Sequence, residues 1–242
     1  MFRNFFVCLM AFLLTTGTSF AASFNFPAKI NYDIFVNGSK KASSTFSVVS
    51  KRDRAGTPVY QLFFGNFQAL GFTSKDKIYT VIFKNDLSLS RTVLKRGKEK
   101  VYEMKAKKGS GMFDDEAITF VYKEDTLTGP IETEPYTPHP VIDLLSLFMV
   151  ASENVANGKG PQDFSFFVKK STEIVKLTPR GKAKVSYQGQ DVSTTVVELS
   201  HQGREVLKFN IYTDKSGFHF PVQLSIKGEA QSLVEFRATK AY

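Results

Sequence analysis

Residues 134–160, EPYTPHPVIDLLSLFMVASENVANGKG, are the one stretch of this chain with a helical look, and strand-like patterns flank them on both sides. Thr137, Pro138 and Pro140 open the stretch, and Asp143 falls in the expected first turn, where a carboxylate favours the positive end of the helix dipole. Asn157-Gly158 closes it, because glycine takes the left-handed conformation at a helix end without a Cβ clash. Val141, Leu144, Leu145, Phe148 and Ser152 follow a period near 3.6, yet Ile142, Leu147, Met149 and Val150 are apolar too. A helix that is apolar nearly all round is buried, or touches two surfaces at once. At about 15 residues it falls short of the ~20 that cross a bilayer. The expectation is a central helix, about residues 140–155, that plugs or covers a large sheet.

Ahead of this pivot, residues 1–21 carry the pattern of a signal peptide. Arg3 precedes the apolar run Phe5–Leu14, and Ser19-Phe20-Ala21 places small residues at both ends of an A-x-A-like cleavage site. Cleavage after Ala21 leaves residues 22–242 as a single domain. Cys8 is the only cysteine and would leave with the leader, so neither disulfides nor thiolate metal sites are available. Arg3 is the only charge lost, so the formal net charge falls from +9 to +8. An exported chain with that surplus suits anionic surroundings, lipid head groups or acidic polysaccharide, as well as plain solubility.

The rest reads as antiparallel hairpins. Ile30, Tyr32, Ile34 and Val36 alternate with Asn31, Asp33 and Phe35, and Asn37-Gly38 follows, the strongest short hairpin-turn signal. Further strands are expected at 59–67, 78–84, 87–94, 101–106 and 117–122. After the helix come 163–169, 172–179, 183–188, 191–201, 204–213, 221–227 and 231–238, separated by glycine turns such as Gln202-Gly203. No Pro/Ser-rich linker divides the two blocks. The fold class is therefore mainly β: a curved antiparallel sheet or incomplete β-barrel with one central helix packed against it.

On three stretches the chain resembles the bacterial family catalogued as domain of unknown function 3108, made of exported β-rich proteins. Residues 32–38, YDIFVNG, look like that family's opening tyrosine strand and glycine turn. Residues 140–147, PVIDLLSL, resemble its central Asp-x-x-Ser helix start, and FNIYTD at 209–214 with FPVQL at 220–224 resembles its late strand pair. Phe148-Met149-Val150 stands where the family often has an aromatic pair and an arginine. The resemblance implies export and β architecture, and no activity.

A search for catalytic motifs is mostly negative: there is no G-x-S-x-G elbow, H-E-x-x-H pair or phosphate-cradling loop. His139, four residues before Asp143, could be oriented by that carboxylate as a base, but also reads as a helix-start residue. His201 reads as a turn residue, His219 faces away from Phe218 and Phe220, and no spacing suggests a metal site. The chain is read as a non-enzyme without cofactor or metal. Two features are informative. Phe63, Phe64, Leu144, Leu145, Phe148 and Phe166 are candidates to line an apolar ligand cavity, core packing being the plain alternative. Arg91, Lys95, Arg96, Lys98, Lys100, Lys105, Lys107 and Lys108 crowd into one hairpin and the next loop, as a basic docking surface or as guards of hairpin tips. The favoured expectation is a periplasmic, non-enzymatic envelope protein binding an apolar or amphiphilic, lipid-like ligand, with peripheral membrane contact and no nucleic-acid partner. The alternative is an interaction or scaffold protein whose basic hairpins hold an acidic polysaccharide or a protein.

Overall fold

A computed structural model describes residues 25–65, 74–108, 118–124, 131–133, 139–168, 171–227 and 232–242, with only the backbone described for 102, 106–108, 118–124, 131–133, 167–168 and 171–172; residues 1–21, read as the leader, lie outside them. The first block gives β1 (Lys29–Val36), β2 (Ser39–Arg52), β3 (Pro58–Gly65), β4 (Asp76–Phe83), β5 (Leu89–Arg96), β6 (Glu99–Lys108), β7 (Ile118–Glu124) and β8 (Ile131–Thr133). Then come β9 (Val141–Ile142), the helix α1 (Leu144–Ala156), β10 (Gln162–Val168), β11 (Ser171–Tyr187), β12 (Gln190–His201), β13 (Arg204–Thr213), β14 (His219–Lys227) and β15 (Leu233–Ala241). All fifteen strands join one sheet in the order β8-β7-β6-β5-β4-β3-β2-β1-β15-β14-β13-β12-β11-β10-β9. It is open and curved, not closed into a barrel. Two meanders meet at its centre, where β1 pairs with both β2 and β15.

Local chemistry pins that seam. Asn37 (φ 49°) and Gly38 (φ 80°) both take positive φ, the type I′ geometry whose twist matches flanking strands. The same turn is stitched to the start of β15: Asn37 N–H donates to the Leu233 carbonyl (2.9 Å), and Leu233 N–H donates to Asn37 Oδ1 (2.9 Å). Deeper in, the fully buried Tyr32 hydroxyl donates to the Pro221 carbonyl on β14 (2.7 Å). That bond ties the strand next to the turn to the far side of β15.

The helix starts later than its prolines predict. Val141 and Ile142 pair in parallel with Ser165 and Phe166 of β10, and Asp143 is not in the first turn but caps it from extended backbone. Asp143 Oδ1 accepts from Ser146 N–H (2.8 Å), while Asp143 N–H donates to Ser146 Oγ (2.7 Å), a reciprocal capping box. At the other end Gly158 takes φ +59°. Nine of the thirteen helical residues, Leu145 to Ser152 and Asn154, are buried, because α1 packs on β11, β13 and β14 from one side and on β3 and β4 from the other. Phe148 is the centre of this contact. Its ring stacks on Phe46 at 4.8 Å and meets the edges or faces of Tyr32, Phe209 and Phe64 at 5.8, 5.9 and 6.2 Å. Burying such a ring is worth about 1.5–3 kcal/mol.

Most expected strands shift by one to three residues at their ends, and two departures have a clear local cause. Residues 172–179 and 183–188 are one strand, β11, because Pro179-Arg180-Gly181 forms a bulge rather than a turn: Pro179 pairs with Val197 and Gly181 with Val196. Gly181, at φ 151°, occupies a conformation that glycine alone adopts freely. Leu87, read as the first residue of a strand, sits in the preceding turn at φ 57°, its N–H donating to the Phe83 carbonyl (3.0 Å). Among the described residues no helix is long and apolar enough to cross a membrane.

Candidate functional site

Opposite residues in antiparallel strands share a face, so the pairing registers read out the two surfaces of β4–β6. The inner face carries Ile78, Thr80 and Ile82 toward α1; all three are buried. Here Asp143 meets the sheet. Its Oδ2 accepts from Thr80 Oγ1 (2.7 Å) and Thr92 Oγ1 (2.5 Å), and the two hydroxyls lie 3.0 Å apart on partnered residues. The carboxylate thus docks the start of the helix onto two strands through hydrogen bonds alone.

The outer face is of a different kind. Lys77 on β4 pairs with Lys95 on β5, and Lys95 pairs in turn with Lys100 on β6, so three lysines stand in line across three strands. Two steps along, Arg91 pairs with Lys105. Like charges placed directly opposite destabilise a sheet. Between the rows sits one buried acid, Glu103, whose carboxylate lies 2.6 Å from Arg91 Nη2, 3.0 Å from Lys100 Nζ and 3.4 Å from Lys105 Nζ. Burial pushes the Glu103 carboxyl up, but the Lys100 hydrogen bond and the charges of Arg91, Lys105 and Lys100 outweigh it and hold the group below its ordinary 4.5. One negative charge is shared among three cations.

Lys95 Nζ rides over the Tyr79 ring at 5.6 Å from its centroid, and Tyr79 lies 5.0 Å from Phe63 on β3. Tyr79, Val81, Arg91, Val93, Lys95, Lys98 and Lys100, with Gln61, line an open groove of about 580 Å³. A second groove, of about 450 Å³, continues from Phe63 and Lys77 across Gly65 to Asn31, Asp33, Ser43 and Thr45. There burial pushes the Asp33 carboxyl up, but hydrogen bonds from Lys40 and Ser43 together with the Lys40 charge outweigh it and bring the group below 3.8.

The structure divides both sets of candidate residues. Of the apolar set, Phe64, Leu145 and Phe148 are fully inside the core, and Leu144 and Phe166 pack against it half-buried. These five side chains fill the interior around α1. Phe63 points the other way, into the outer grooves. Of the basic set, Arg91, Lys95, Lys98 and Lys100 come together in one groove and Lys105 stands beside Arg91. Arg96 leaves the group: its Nε and Nη2 donate to Asp76 Oδ1 (2.8 Å) and Oδ2 (3.1 Å), a forked pair at the rim. The side chains of Lys107 and Lys108 lie outside the described residues. Lys77, Tyr79 and Glu103 were not singled out by the sequence, and their only signal is register. His201 Nδ1 meets Glu173 at 3.0 Å and His219 Nδ1 meets Thr213 Oγ1 at 3.0 Å. Among the described residues no three His, Cys, Asp or Glu side chains converge to hold a metal ion.

No family model matches the chain, and no curated protein matches it. Among solved structures it is similar to a beta-barrel-like protein of domain of unknown function DUF1849 from Brucella abortus, with a TM-score of 0.52 at 10% identity over 90% of this chain and 99% of that one. At that identity the likeness concerns the fold alone. The class is thus a β-barrel-like protein: an open curved sheet around one helix.

Proposed function

We propose that the protein is an exported, non-enzymatic component of the cell envelope that binds an anionic envelope polymer through the outer face of β4–β6. The carrying observation is the Lys77–Lys95–Lys100 row, three cations set opposite one another, a placement whose mutual repulsion works against the isolated fold. Residues 74–108 hold eleven Lys/Arg against four Asp/Glu, +7 of the whole chain's +9. Export rests on the leader pattern of residues 1–21. Kinship with the family of domain of unknown function 3108 belongs to the same proposal, supported by two of its motifs meeting in the core through the Tyr32–Pro221 hydrogen bond. The apolar-ligand reading is the weaker one, since a lipid would have to displace Phe148 from its stack on Phe46.

The decisive experiment compares wild type with a Lys77→Gln/Lys95→Gln/Lys100→Gln variant for binding to soluble polyanions at low and at physiological salt. Wild type should bind with a steep salt dependence, and the variant should lose most of both. Unchanged binding by the variant rejects the reading. A lipid extract of the purified protein that yields one bound amphiphile would restore the apolar-ligand reading instead.

A further inference from the structure

We infer that the polymer is an acidic polysaccharide, laid across the strands in one extended track that joins the two outer grooves; this rests on the charge reading above. The pairing registers run without a break through Asn31, Thr45, Gly65, Lys77, Lys95 and Lys100, one residue from each of β1 to β6. Strands lie about 4.8 Å apart, so this line is roughly 24 Å long. Its two halves have different chemistry. The β4–β6 half is cationic; the β1–β2 half is neutral and polar, with Thr45 Oγ1 donating to Asn31 Oδ1 (2.9 Å).

The join is aromatic. A Cβ added at Gly65 would stand 2.9 Å from Phe63 Cζ and 3.2 Å from Lys77 Cγ, so the Phe63 ring leans over the bare glycine and into the line itself. Tyr79 continues that platform 5.0 Å away, with the Lys95 ammonium above it. Sugar rings have an apolar C–H face that lies on an aromatic ring and hydroxyls that pair with amides and hydroxyls, while pendant acid groups suit the lysines. Polyphosphate fits less well, because it has no apolar face to lay on the Phe63–Tyr79 platform. A flat anionic bilayer would use the lysines and leave the neutral half idle.

The test uses the mature protein with four probes: polygalacturonate fragments of graded length, dextran, inorganic polyphosphate and vesicles containing one-third phosphatidylglycerol. Polygalacturonate should bind best, with affinity rising until fragments span the track and then levelling off; dextran should not bind. Tyr79→Leu should weaken polygalacturonate about tenfold, the scale of one aromatic anchor, and leave polyphosphate unchanged. Phe63→Leu repeats the measurement independently, and thermal unfolding confirms that each variant is folded. Equal or tighter binding of polyphosphate or vesicles, or no effect of either ring substitution, overturns the polysaccharide assignment while the lysine variant still loses binding. If the lysine variant keeps its affinity for every probe, the charge reading itself falls.

Discussion

The inner and outer faces of β4–β6 are built from alternating residues of the same three strands, yet they treat charge in opposite ways. Inside, the Asp143 carboxylate arrives at the start of the helix and finds two threonine hydroxyls and a backbone N–H. Outside, Arg91, Lys100 and Lys105 converge on one glutamate while Lys77 and Lys95 add to the same surface. The far wing of the sheet treats charge as an ordinary fold does. There Glu198 stands opposite Lys208 and Asp163 opposite Lys176, and Lys227 lies 2.8 Å from Glu205. The contrast teaches that the inner face is arranged for stability, whereas the outer face of β4–β6 sets like charges opposite one another around a single glutamate.

Substitutions on the two faces should therefore shift stability in opposite directions. Phe148→Ala, which empties the centre of the core, should cost about 3–5 kcal/mol in denaturant unfolding. A cost below 1 kcal/mol would mean that α1 is not the keystone of the interior. Asp143→Ala removes a helix cap worth about 1–2 kcal/mol and strips Thr80 and Thr92 of their shared acceptor, so about 2 kcal/mol or more is expected. Asp143→Asn should recover part of this if the cap is the larger share.

Titration gives the third and smaller test. Glu103 is held below its ordinary 4.5, so its contribution is complete above that value and is lost as pH falls through the lowered one. Glu103→Gln should flatten that acid limb. At the alkaline end, burial and the nearby Tyr187 push the Tyr32 phenol well above 10.0. Its contribution is complete below about pH 10 and is lost as pH rises toward the folded value, a loss that Tyr32→Phe should abolish.

The smallest effect has the opposite sign. Lys95→Gln takes out the middle of the lysine row and should stabilise the free protein by a few tenths of a kcal/mol at low salt, a gain that fades as salt screens the row. Destabilisation by Lys95→Gln, or a gain indifferent to salt, would remove the contrast between the faces.

Much of this architecture was legible along the chain. The alternation of Ile30, Tyr32, Ile34 and Val36 and the Asn37-Gly38 turn gave β1 and its hairpin because both depend on contacts within a few residues. The all-round apolarity of residues 141–150 foretold a helix held between two surfaces. Pro179-Gly181 misled, since a bulge and a turn draw on the same residue types and only a neighbouring strand that continues alongside tells them apart. Lysine clustering pointed to β5 and β6, but Lys77 and Tyr79 joined the site through a β4–β5 register shifted by the bulge at Val81/Ile82, and Phe63 through its pairing with Tyr79 across β3–β4.

What the sequence by itself determined is what short-range physics controls: strand periodicity, turn chemistry, the apolar helix and the excess of positive charge. Tertiary structure alone decided that β1 closes on β15, that Asp143 docks on Thr80 and Thr92, and that three lysines from three strands stand in one line. Each of these is a meeting of residues distant along the chain, and cross-strand register, which sets them all, is fixed by the packing of the whole sheet.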